Sequence, residues 1–185
     1  YPTPTWADMG AAADAVAGQW DPGAGAHALV ISETTNSIRT GRTVADTKAD
    51  VAAYLGAVRV RPWVIVGWAA LPAGHADETA FPGEAAKNQG IIEVNRWARD
   101  NARSLGIDVW IDTRVIPQFG HDGADPAAFT AWQSGWQEAP ATPAWAQFGW
   151  LHPTTLGKGR IADLVATAFR DGSVPAVPVE ISSPA

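Results

Sequence analysis

Three features of this sequence predict an α/β domain built on a parallel sheet. Short apolar runs at HALVISE (27–33), PWVIVGW (62–68) and IDVWIDT (107–113) are too brief for helices and read as buried strands. Longer stretches between and around them carry apolar residues at helical spacing. Strands that alternate with helices pair in parallel through right-handed crossovers, which places helices on both faces of the sheet.

Each element has its own signal. The alanine-rich run from Thr5 to Gly18 holds Trp6, Met9, Ala13 and Val16 on one stripe, and Thr5 can cap it as a helix. DPGAG (21–25) is turn chemistry, and HALVISE follows as the first strand. TTNSIRTGRT reads as a polar loop, after which Val44, Val51, Leu55 and Val58 mark a helix over 43–58. The second strand, PWVIVGW, runs into the irregular LPAGHADETAFPG. A helix over 84–106 ends at Gly106, with basic residues in its C-terminal half where the helix dipole favours them. Beyond the third strand, 126–136 predicts a short helix and a closing helix runs from about Pro153 to Phe169. Residues 1–170 thus form one α/β domain, and the proline-rich 171–185 reads as an extended tail or linker.

Composition narrows the function classes. A chain of 185 residues with 46% hydrophobic content supports one core. The net charge of -6 disfavours nucleic acid, which needs a basic face. No apolar run approaches the roughly 20 residues of a membrane span, and the N-terminus shows no signal peptide. With no cysteine, neither disulfides nor thiolate metal sites are available. No glycine-rich loop follows a predicted strand, so neither a dinucleotide nor an NTP cofactor is expected. His27, His75, His121 and His152 are scattered, and HDGAD (121–125) lacks zinc-site spacing, so no metal is expected either.

In open parallel sheets ligands bind beyond the carboxyl ends of the strands, which singles out ETTNSIRTG, AALPAGHADE and TRVIPQFGHDGAD. At this point the chain resembles the SGNH (GDSL) hydrolase superfamily of esterases, lipases and polysaccharide deacetylases. Asn36, in the loop after HALVISE, takes the place of the asparagine in the family's G-x-N-D block, with Thr34 and Ser37 where glycine and aspartate are usual. LHPTTLG (151–157) matches the latter half of the family's D-x-x-H-P-x-x-x-G block, with Gly149 at the aspartate position. The G-D-S block that carries the family's nucleophile on its first strand is missing, as is the glycine that supplies a second oxyanion donor.

The resemblance, spanning Thr5 to Phe169, implies a flavodoxin-like three-layer sandwich that lacks its first strand. That strand is central in the family, so a partner segment or chain is expected to cover the open edge. It further implies His152 as catalytic base and Asn36 as oxyanion donor, with the nucleophile on an upstream segment. Asp122 or Asp125 could orient His152 if their loop folds over it. Seven serines are otherwise available: Ser32, Ser37, Ser104, Ser134, Ser173, Ser182 and Ser183, none in a G-x-S-x-G setting. Ser32 falls inside the predicted strand. Ser182 and Ser183 follow VPVEI, which reads as a linker and, in the alternative, as a displaced first strand.

Two functions stand side by side. One is an SGNH-type serine esterase acting on an acylated carbohydrate or another small-molecule ester. The other is a non-catalytic, glycan-contacting or structural module of a cell-surface or phage-tail assembly. Ten tryptophans bear on the choice, because aromatic faces stack on sugars. Trp68 and Trp150 are the binding candidates, with Trp132 and Trp136 beside them, although indoles also serve as core. The alanine- and tryptophan-rich, lysine-poor composition suggests a GC-rich genome, such as an actinobacterium or its phage, and an extracellular or virion-associated location.

Overall fold

The computed structural model describes residues 5–17, 23, 25, 27–32, 34–70, 83–112 and 155–172. Within these, helix α1 (Trp6–Ala17) precedes strand β1 (His27–Ile31), followed by α2 (Thr35–Arg39) and α3 (Val44–Arg59). Strand β2 (Val64–Ala70), helices α4 (Glu84–Asp100) and α5 (Ala102–Leu105), strand β3 (Val109–Asp112) and helix α6 (Thr155–Asp171) complete the order. The strands form one parallel sheet in the order β1-β2-β3. The predicted α/β class is therefore present. The predicted helix over 126–136 and residues 173–185 of the tail lie outside the described residues.

The helix starts are built from short polar side chains. The Thr5 N–H and hydroxyl both donate to the Asp8 carboxylate at 2.8 Å, while the Asp8 N–H donates back to the Thr5 hydroxyl at 3.3 Å. This reciprocal cap satisfies backbone donors that α1 would leave open, and it holds the Asp8 carboxyl below its ordinary pKa. Thr43 repeats the device on α3, its hydroxyl accepting from the Asp46 N–H at 3.0 Å.

Alternation along the strands sorts the core into two faces. Val64, Val66 and Trp68 of β2 face a layer made with Val51, Leu55 and Val58 of α3 and with Trp6 of α1. Ile31 of β1 and Ala98 of α4 belong to the same layer. Ala69, Val109 and Ile111 point the other way and meet Ala168, Leu164 and Phe169 of α6. Helices therefore cover both faces, but unevenly. Gly67 lies under Phe169, where a Cβ would stand 2.7 Å from two ring carbons. Gly67→Val is expected to cost about 1–3 kcal/mol in a urea titration through overpacking. In a Phe169→Ala background the same change should be nearly neutral, and a penalty of equal size in both backgrounds would contradict the seating of α6 on β2.

Four local departures from the sequence reading have physical causes. The run HALVISE ends as a strand at Ile31, and Val30 stays 43% exposed. Ala28 and Val30 share the face on which α6 meets β2 and β3, and among the described residues no strand flanks β1 on its other side. TTNSIRTG is not all loop: α2 forms because Ile38 packs against Ile91, Ile92 and Val94, and because buried Ser37 accepts the Trp6 N–H at 3.0 Å. The long helix predicted over 84–106 breaks at Asn101, whose side-chain amide donates to the Trp97 carbonyl at 2.8 Å. Finally, Trp68 is a core residue, for reasons given below.

Candidate functional site

The described residues form an open groove of about 310 Å³ at the outer edge of β1. Leu29, Val30 and Ile31 line it together with Ser32 and Asn36. Consecutive strand residues point to opposite faces, so three in a row can share one groove only if it runs along the strand's edge. Met9 of α1 and Tyr54 of α3 wall it on one side. Tyr54 is 6% exposed, and burial raises its phenol pKa above the ordinary value.

The polar members of the groove sit at the carboxyl end of β1, where open parallel sheets bind their ligands. Ser32 is the first residue beyond the strand and is exposed. Asn36 lies in the first turn of α2, half-buried, and its carbonyl accepts from the Thr40 N–H at 2.9 Å and hydroxyl at 2.8 Å. The α2 turn is itself pinned. Ser37, one residue on, is fully buried and tied to Trp6, and Arg39 donates to the buried Asn88 of α4 at 3.0 Å. Asn36 therefore stands on a fixed turn that lines the groove.

The serines separate accordingly. Ser37 carries a structural bond in the core, and the Ser104 hydroxyl donates to the Asn101 carbonyl at a helix end. Ser32 was easily explained as a strand residue from sequence. The strand stops one residue short of it, which brings it to the groove beside Asn36. The sequence signal was the shift from apolar HALVI to polar SETTNS.

Trp68 corrects the reading of it as a binding platform. Its ring is 0% exposed, stacked on Trp6 with centroids 5.2 Å apart and on Trp110 at 6.2 Å. Its indole N–H donates to Asn95 at 3.3 Å. Both ring faces are thus occupied by protein, so no sugar can stack there. His152, Asp122, Asp125 and Trp150 lie outside the described residues, as do His75, His121, Trp132 and Trp136. Among the described residues no group of three or more His, Asp or Glu comes together as a metal site, and no helix is long and apolar enough to cross a membrane.

No protein-family model, curated protein or solved structure matches the chain.

Proposed function

We propose that this domain is an SGNH-type serine ester hydrolase acting on an acylated carbohydrate or another ester. The observation that supports it is the position of Asn36: on a pinned turn, at the carboxyl end of β1, lining a groove with Ser32. In this reading a serine Oγ attacks the ester carbonyl carbon and His152 takes its proton. The Asn36 amide donates to the oxygen that becomes negative. Collapse of the tetrahedral intermediate expels the alcohol, which receives the proton from His152, and water then releases the acyl group by the same route. Asp122 or Asp125 would orient His152.

An alkyl fluorophosphonate tests the reading, because it phosphonylates a serine only where a base and an oxyanion site activate it. With the polypeptide at its native length, one stoichiometric adduct on one serine is expected, located by peptide mass mapping. A chain that stays unlabelled where a control serine hydrolase reacts fully would contradict the proposal.

A further inference from the structure

Tyr54 brings a polar group into the wall of the groove beside β1. Val51, Tyr54, Leu55 and Val58 recur at the three- and four-residue spacings of one helical stripe, and all four are buried in the layer between α3 and the sheet. A residue on that stripe reaches the sheet through its side chain, since its backbone is enclosed by the helix. The Tyr54 ring meets the Trp6 ring edge-on at 5.6 Å, and the Trp6 N–H donates at 3.0 Å to Ser37, the neighbour of Asn36. Helices α1, α2 and α3 thus converge on the carboxyl half of β1, where Tyr54 lines the groove with Ser32 and Asn36.

The residue is 6% exposed, and burial alone raises its phenol pKa, with no charge or hydrogen bond contributing. Among the described residues its hydroxyl has no hydrogen-bond partner. A buried phenol O–H normally finds an acceptor, because leaving one unpaired in an apolar setting costs more than a typical hydrogen bond returns. The groove is the side from which an acceptor can reach it.

The rest of the groove defines the rest of the ligand. Met9, Leu29 and Ile31 belong to the same layer as Tyr54, and Val30 adds an exposed apolar side chain at the strand's edge. Ser32 and Asn36 are polar but uncharged, and no charged side chain is among the described residues that line the groove. An ion placed there would lose its hydration with no opposite charge to replace it. The chemistry that matches is a neutral molecule with an apolar body and one hydrogen-bond-accepting head.

We propose that the groove binds the acyl half of a small neutral ester, with its alkyl chain against Met9, Leu29 and Ile31 and its carbonyl oxygen accepting from the Tyr54 hydroxyl. That the carbonyl belongs to an ester rests on the hydrolase reading, whereas the binding of a neutral carbonyl compound does not. Under that reading Tyr54 stays protonated throughout and keeps donating as the oxygen becomes negative. The carbonyl's second lone pair is left to the Asn36 amide.

Hexanamide, which carries an alkyl chain and a carbonyl without being an ester, is the probe, titrated into the intact chain and followed by NMR. Saturable shifts are expected at Met9, Leu29, Ile31 and Tyr54, with NOEs from the probe's chain to the Tyr54 ring. Tyr54→Phe keeps the ring against Trp6 and removes only the unpaired hydroxyl, so the urea midpoint should not fall, while hexanamide should bind at least about fivefold more weakly. Hexanoate, with the same chain and a negative head, should bind the parent at least about tenfold more weakly than the amide does. No saturable shift at these residues would overturn the proposal, as would equal affinity in the parent and Tyr54→Phe, or hexanoate binding as tightly as hexanamide. Should Tyr54→Phe fail to fold, the NOEs in the parent decide, and shifts at Met9 and Leu29 without a contact to Tyr54 would overturn the role of the hydroxyl. Hexanamide binding needs neither His152 nor a nucleophilic serine. A chain that binds it here yet turns over no ester would therefore contradict the hydrolase reading alone, and ester turnover without binding at Tyr54 would contradict this inference alone.

Discussion

Trp68→Ala is expected to remove about 3–5 kcal/mol of stability, read as a fall in the urea midpoint. Three indoles stack through the core: Trp6 on Trp68 at 5.2 Å with 17° between planes, then Trp68 on Trp110 at 6.2 Å with 5°. Tyr54 meets Trp6 edge-on at 5.6 Å. Trp68 is the middle member, and its removal opens a cavity between α1, α3 and the sheet that rigid strands cannot close. The aromatic contacts add to simple area burial, and the bond to Asn95 is lost with them. Trp68→Phe retains a ring in the column and should lose less. A loss below about 1 kcal/mol for the alanine variant would mean that the indole lies outside the core, and the glycan-platform reading would return.

That correction shows what was readable in the sequence. The strand VIVGW fixes parity locally, so Trp68 shares a face with Val64 and Val66. Tracing this parity alone points Trp68 inward; the position of Trp68 at the end of the run is what suggested a ligand-facing ring. The three strands and the long helices were readable because each carries its own apolar period. Helix α2 was not, because only Ile38 among its five residues is apolar and its anchor is a bond from Ser37 to Trp6, 31 residues away. The break at Asn101 was equally hidden, since neither glycine nor proline marks it. The exposure of Val30 depends on what lies beside β1, and no local pattern in HALVI records that. Of the groove residues, Asn36 was singled out from sequence by a resemblance alone, whereas Ser32 came into view only once the strand was seen to end at Ile31.

Under the proposed hydrolase reading, Asn36→Ala carries the largest expected effect on chemistry. Removing one donor from an oxyanion site costs about 10²–10³ in kcat, because the donor is aimed where charge develops and water cannot replace it. The substitution leaves unaltered the Asn36 carbonyl, the Ser37 hydroxyl and Ile38, each of which holds α2. KM should change little, since the amide acts mainly on the transition state. His152→Ala should lower turnover at least as far, by removing the proposed proton acceptor. The decisive measurement is therefore ester turnover by the polypeptide at its native length beside its Asn36→Ala and His152→Ala variants. The account predicts a measurable kcat in the parent and a loss of about a hundredfold or more in each variant. Equal rates in all three would contradict it.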